Sequence, residues 1–162
     1  MSLVIFEIAD ETLAAMSPAR RRELVLALHE LNEDASDSGL EVDGGPVCIS
    51  RGPHGGLKLT CDGETLALNR QEFEASVAAY GSAMERLSRA CATPFGPQNL
   101  QRFDEAKGRV HRRGAAMMRA ILAPRFTLNE LVSRRLYTVV YLVKTGSSAS
   151  RVMRHTSDPE PN

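Results

Sequence analysis

Five arginines recur on one face of a helix that the sequence predicts after the breaker ATPFGP (residues 92–97) and up to Ala123, ahead of Pro124. At 100° per residue they fall within an arc of about 120°. We call this surface the basic arc; it consists of Arg102, Arg109, Arg112, Arg113 and Arg119. A continuous row of guanidinium groups can bind phosphates or an acidic protein surface, and it can equally be the plain solvent-facing side of a helix.

Two polar residues, Asp104 and His111, fall near the centre of the opposite arc of the same helix. That opposite arc is apolar and holds Phe103, Val110, Met117, Met118, Ile121 and Leu122. The two residues are seven positions apart, about 10 Å along the axis, so they cannot hydrogen-bond to each other. In the structural interpretation, each satisfies a backbone group or a helix end in the core.

The alternative interpretation makes Asp104 and His111 catalytic. Desolvation in an apolar arc disfavours the charged imidazole, so His111 would be neutral and available as a base. Asp104 could then hold a substrate, with Arg112 or Arg135 as the candidate anion ligand. This hypothesis requires both side chains to open onto one solvent-reachable pocket.

Gly108 and Gly114 lie in the same predicted helix, and each costs about 1 kcal/mol there relative to alanine. Close approach of another backbone is the usual compensation, so we predict such an approach at both positions.

Signatures of known enzymes are absent from the sequence: it contains no GxxxxGK[ST], GxGxxG, HExxH or GxSxG. Gly55-Gly56-Leu57-Lys58 is similar to an anion-binding loop, but no predicted helix follows it, which favours a hairpin turn. Cys48, Cys61 and Cys91 are too few and too irregularly spaced for a zinc site or a disulfide framework. We therefore expect reduced thiols, no metal and no cofactor.

The chain has 162 residues, of which 43% are hydrophobic and 25% charged, enough for one packed domain. We predict a single domain over residues 1–145 and a disordered tail over residues 146–162. No stretch approaches the roughly 20 apolar residues of a membrane span, and the start shows no basic leader. The expectation is a cytoplasmic protein without a membrane partner.

The zero net charge hides an imbalance between the two halves of the chain. Residues 1–81 carry 6 Lys and Arg against 14 Asp and Glu, whereas residues 82–162 carry 14 against 6. The opposite charges of the two halves can cancel when the halves fold against each other, or they can bring together oppositely charged surfaces of two subunits.

The hydropathy pattern predicts an α+β fold. A small antiparallel sheet, made of an N-terminal strand (3–8) and a three-strand meander (47–68), packs on about four helices, and the C-terminal half is mainly helical. The first two strands of the meander are predicted to pair so that the numbers of opposite residues add up to an even number, which requires the five-residue loop Gly52–Gly56. With a type I′ turn at Asp62-Gly63, this register gives the meander one apolar face.

Helix boundaries follow from capping signals. Ser17 with Pro18 begins one helix, and a capping box from Asn69 to Glu72 begins another. A second capping box, Thr127 to Glu130, precedes the apolar segment LVSRRLYTVVYLV. We predict a buried helix there, although residues 138–141 would also suit a strand.

The run ATPFGPQNLQRFDEAKGRVHRRGAAMMRAIL, followed by RRLYTVVYLV, resembles the C-terminal half of a small alphaproteobacterial family without an established activity. The resemblance spans roughly residues 20–143; its motif has an Asp, a His and a Gly, matched here by Asp104, His111 and Gly114. Phe95-Gly96-Pro97 resembles an insertion, and Lys144 stands where the pattern has a His, which puts any role of that His in doubt. The resemblance implies a single cytosolic bacterial domain and no particular reaction.

Three functions follow as hypotheses. The leading one is a non-enzymatic interaction or regulatory protein that binds another protein, or a second copy of itself, through the basic arc and Arg135. The second is nucleic-acid binding through the same arginines, disfavoured because no aromatic residues interleave with the basic ones. The third is a small enzyme with an Asp104/His111 cleft.

Overall fold

The computed structural model describes residues 2–42, 44–52, 55–68, 71–92 and 97–146. Their elements follow the order β1 (Ser2–Leu3), β2 (Phe6–Ile8), α1 (Asp10–Ala14), α2 (Pro18–Asp37), β3 (Glu41–Val42), β4 (Val47–Arg51), β5 (Leu57–Cys61), β6 (Glu64–Ala67), α3 (Gln71–Ala92), α4 (Pro97–Leu122) and α5 (Glu130–Thr145). The fold is α+β, with a mainly helical C-terminal half, as predicted.

The chain divides into two compact units. The first comprises Met1–Leu68 and Thr138–Asn162, and the second comprises Asn69–Tyr137. The second unit carries 12 Lys and Arg against 6 Asp and Glu, a net charge of +6, and the first carries 8 against 14, a net charge of −6. The charge imbalance of the sequence therefore follows the division into units. Of the tail predicted over residues 146–162, the structure describes Gly146, which is buried, and residues 147–162 lie outside the described residues.

The meander has the predicted register. Ile49 pairs with Leu59, and Leu59 with Leu66, in antiparallel strands. Asp62 and Gly63 have φ values of 51° and 75°, the positive values that a type I′ turn requires. Val47, Ile49, Leu57 and Leu59 are almost completely buried, so the predicted apolar face forms part of the core of the first unit.

The N-terminal strand differs from the prediction. It is divided into β1, which pairs with β3 in a separate two-stranded sheet, and β2, which pairs with β4. Because β2 runs parallel to β4, the four-stranded sheet β2-β4-β5-β6 is mixed rather than antiparallel. Alternation along one strand fixes which residues share a face, but it carries no information about the direction of the neighbouring strand.

Helix α2 begins at its predicted cap, where the Arg20 backbone N–H donates to Ser17 Oγ at 3.3 Å. Its arginines lie at the positive end of the helix dipole, an unfavourable place in isolation. The structure offsets this by using Arg21, which donates from Nε to the Leu13 carbonyl at 3.1 Å and from Nη2 to the Met16 carbonyl at 3.2 Å. The guanidinium thus binds carbonyl groups at and just after the end of α1.

Residues 130–145 form a helix, which settles the choice between helix and strand for residues 138–141. The helix begins later than the predicted capping box: its cap is Asn129, whose Oδ1 accepts from the Val132 backbone N–H at 2.8 Å, and not Thr127. Asn69, the predicted cap of α3, lies outside the described residues. Half of the residues of α5 are buried, including Leu136, Tyr137, Val139, Val140 and Val143.

Candidate functional site

The basic arc is solvent-exposed along its whole length. All five of its arginines are exposed, and they extend from Arg102 to Arg119 of α4, about 26 Å along the helix axis. Within the described part of the second unit, none of the five forms an ion pair with a carboxylate. Their charges are therefore available to a ligand.

One acidic residue, Glu105, lies within the basic arc by helical position. Its Oε1 accepts a hydrogen bond from Gln101 Nε2 at 3.2 Å, and both side chains are exposed. Glu105 is four residues before Arg109, a spacing that favours an ion pair on an isolated helix, yet this pair is not formed. One carboxylate among five guanidinium groups leaves the arc strongly positive.

The side of α4 opposite the arc is buried only towards the C-terminal end of the helix. Gly114, Ala115, Met118 and Leu122 are buried, whereas no side chain described between residues 100 and 113 is. This packing holds the helix, and with it the row of arginines, against the rest of the second unit. A rigid element presenting its charges loses less conformational entropy on binding than a flexible one.

Asp104 is exposed, so the prediction that it lies in the apolar core was wrong. Helical periodicity gives the direction in which a side chain points around the axis; it does not say whether a partner lies opposite at that height. His111, two turns later and on the same side, reaches the packed part of the unit and is half-buried. The described contacts do not bring the two side chains together.

His111 packs between two tyrosines that the sequence placed only on apolar faces. Its ring stacks on Tyr80, with centroids 5.3 Å apart and planes at 25°, and lies 5.6 Å from the ring of Tyr137. Tyr80 and Tyr137 meet edge to face at 5.7 Å. The hydroxyls of Tyr137 and Ser76 are hydrogen-bonded at 2.8 Å. The cluster therefore links α3, α4 and the first half of α5.

The surroundings of His111 favour its neutral form. Burial lowers the pKa of the imidazole from its ordinary value of 6.5, and the positive charges of Arg134 and Lys107 act in the same direction. A hydrogen bond with the backbone of Arg134 acts in the opposite direction. The imidazole thus interacts with a backbone group of α5.

The stability of the protein should depend on pH through His111. Because its pKa is lower in the folded state, the unfolded chain binds the proton more readily once the pH falls below about 6.5. Relative to a His111→Gln variant, the wild type should lose stability as the pH falls from 7 towards the lowered pKa of the folded protein. Urea unfolding of both proteins across this range measures the difference, with the exposed His29 changed to Gln as control. A difference that does not vary with pH would contradict the proposed protonation state.

Gly114 has a different neighbour from the predicted one. A Cβ at this position would overlap the ring of Tyr137, a side chain rather than a backbone. At Gly108 the nearest group to such a Cβ is Arg112 Nη1 at 3.4 Å, so no backbone approaches there either. Glycine at 114 makes room for the aromatic cluster, and the signal of this in the sequence was the glycine inside a predicted helix, which indicated a close approach without identifying its partner.

The remaining candidates give no reactive centre. Arg135 lies half-buried on α5, and Arg112 is exposed within the arc. Burial and the nearby charges of Glu7, Glu11 and Asp10 raise the pKa of the Cys48 thiol, which disfavours the reactive thiolate. In the described ranges, no group of three or more His, Cys, Asp or Glu side chains is placed to hold a metal ion. No described helix is long and apolar enough to cross a membrane.

Comparison with protein-family models, with curated proteins and with solved structures gives no match to this chain. The resemblance to the alphaproteobacterial family accordingly stays a prediction that depends on its motifs.

Proposed function

We propose that this protein is a non-enzymatic interaction module that binds an acidic protein surface through the basic arc of α4. The observation that carries the proposal is the exposure of all five arginines, with no ion pair to a described carboxylate of their own unit. The planar, permanently charged guanidinium groups suit bidentate contacts with carboxylates.

Two further features support a protein partner over a nucleic acid. The described aromatic side chains of the second unit are buried or half-buried: Phe73, Tyr80, Phe103, Phe126 and Tyr137. None is free to stack on an unpaired base, the contact on which recognition of single strands mainly depends. Contacts with duplex phosphates need no aromatic residue, so duplex DNA is the alternative ligand that an experiment has to separate from an acidic peptide.

Reversing two charges of the arc is expected to weaken binding of a Glu-rich peptide at least about tenfold, because two attractive contacts become repulsive. The test variant is Arg109→Glu with Arg113→Glu, two exposed residues one turn apart. The control is Arg22→Glu with Arg86→Glu, which changes the net charge equally at exposed positions outside the arc. Fluorescence anisotropy of the labelled peptide measures both affinities.

The same titrations with a short DNA duplex in place of the peptide distinguish nucleic-acid binding from binding of an acidic protein surface. Duplex binding would weaken with salt along a log–log slope of about −0.9 per neutralised phosphate. Equal peptide affinities for the test and control variants would overturn the proposal. A steep salt slope with DNA, together with no peptide binding, would replace it with nucleic-acid binding.

A further inference from the structure

Helix α2 of the first unit carries a row of carboxylates on the side opposite its buried residues. The buried residues are Leu24, Leu31 and Ala35. At 100° per residue the carboxylates fall within an arc of about 100°, whose centre lies about 130° around the axis from the buried positions. We call this surface the acidic arc; it consists of Glu23, Glu30, Glu33, Asp34 and Asp37. Glu23, Glu33 and Asp37 are exposed, and the other two are half-buried, so α2 presents a negative surface to solvent.

The acidic arc of α2 and the basic arc of α4 have the same charge spacing over most of their length. Four carboxylates, from Glu23 to Asp34, follow one another at intervals of seven, three and one positions, and four arginines, from Arg102 to Arg113, repeat these intervals. At the α-helical rise the matching charges lie at equal heights over about 16 Å of helix axis. If the two helices lie side by side and run in the same direction, four carboxylates are level with four guanidinium groups. In opposite directions at most three are level.

Ion pairs within α2 leave the acidic arc able to bind further cations. Glu23 Oε2 accepts from Arg20 Nη1 at 3.1 Å, and Glu33 Oε1 lies 3.2 Å from His29 Nε2. Surface pairs of this kind contribute little to stability. An ionised carboxylate has about four acceptor sites on its two oxygens, so a second cation can bind without displacing the first.

An exposed leucine lies within the acidic arc. Leu26 is 60% exposed, and around the helix axis it falls between Glu33 and Glu30. Arginine carries its charge on an aliphatic stem, and such stems pack on apolar surface. A row of arginines on this face would therefore cover the leucine as well as neutralise the carboxylates.

We propose that the basic arc of α4 binds the acidic arc of α2 in a second copy of this chain. The two arcs share their charge intervals, and they belong to units with net charges of +6 and −6. This inference rests on the function proposed for the basic arc and names its partner. Exposed charges are screened by salt beyond about 8 Å at physiological ionic strength, so the self-association weakens as the salt concentration rises.

Charge reversal in one arc at a time tests the pairing. The basic-arc variant is Arg109→Glu with Arg113→Glu, the same double change that tests peptide binding. The acidic-arc variant is Glu33→Arg with Asp37→Arg, at two exposed positions. Arginine near the C-terminal end of α2 interacts favourably with the helix dipole, so this variant retains its helix.

A control variant changes the charge of the first unit equally at exposed positions outside the acidic arc: Glu7→Arg with Glu41→Arg. Sedimentation equilibrium at low salt gives the weight-average mass and the Kd of self-association. The wild type and the control should self-associate, and each arc variant should do so at least about tenfold more weakly, because attractive contacts become repulsive.

A mixture of the two arc variants in equal amounts should associate again. The reversed, basic α2 of one variant is complementary to the reversed, acidic α4 of the other, and their two unaltered arcs also have opposite charges. A merely nonspecific effect of either reversal predicts no such recovery. Circular dichroism checks that each variant is folded, and Glu23→Gln with Glu33→Gln replaces the acidic-arc variant in the self-association measurement if that variant does not fold.

A wild type that stays monomeric at low salt, equal association of the control and the arc variants, or a mixture no more associated than its components would each overturn the second copy as the partner. Peptide binding is measured separately. A monomeric protein that still binds the Glu-rich peptide through the basic arc therefore loses only this inference, whereas a protein whose arc does not bind the peptide loses the proposed function. If both hold, the peptide should compete with self-association and lower the weight-average mass of the wild type.

Discussion

Replacing Asn32 with leucine is expected to lower the free energy of unfolding by about 3 kcal/mol, because two backbone groups of Phe6 lose their partners together. Asn32 Oδ1 accepts from the Phe6 N–H at 2.8 Å, and Asn32 Nδ2 donates to the Phe6 carbonyl at 3.0 Å. Phe6 lies in β2, at the edge of the four-stranded sheet, and these two groups point away from β4. The carboxamide therefore supplies the hydrogen bonds that a further strand would make.

Leucine is similar to asparagine in size and can form neither bond, so both buried groups would be left unsatisfied. Each costs about 1–3 kcal/mol. Urea unfolding measures the change, with Ser36→Ala as the control on an exposed position one turn further along α2. The control should stay within about 0.5 kcal/mol of the wild type. If the free energy of unfolding of Asn32→Leu also stays within about 0.5 kcal/mol of the wild type, the hydrogen bonds between Asn32 and β2 contribute nothing to stability.

Alanine at Gly114 should destabilise the protein by about 2 kcal/mol, whereas alanine at Gly108 should stabilise it by up to about 1 kcal/mol. Both changes add one methyl group to the same helix and gain the same helix propensity. At 114 that methyl group would overlap the Tyr137 ring, which is fully buried and held by its hydrogen bond to Ser76. The ring cannot move without disturbing the cluster around His111.

The pair of glycine variants forms its own control, because propensity cancels and only the local space differs. At Gly108 the nearest atom is the flexible end of Arg112, which can shift. Denaturant midpoints of the two variants should move in opposite directions from that of the wild type. Changes of the same sign would show that helix propensity, and not the fit against Tyr137, decides the effect at 114.

Much of this fold is determined locally, and the sequence by itself was sufficient there. The meander needs only the alternation around Ile49 and Leu59 and the positive φ values that Asp62 and Gly63 accept, because register follows from turn length and period. The start of α2 follows from Ser17 and Pro18, and the exposure of the basic arc follows from the helical period. Each of these features depends on residues that are near one another in the chain.

Tertiary structure decided whatever depends on a partner distant in the chain. The parallel direction of β2 and β4 is one such feature. The hydrogen bonds of Asn32 with Phe6, 26 residues away, are another, since no residue near either of them in the sequence indicates this pairing. Asp104 and His111 occupy the same side of one helix, yet only His111 meets other helices, where Tyr80 and Tyr137 enclose it. A period sets the direction of a side chain, while burial, pKa and pairing depend on what lies opposite, and that is fixed only when distant segments pack.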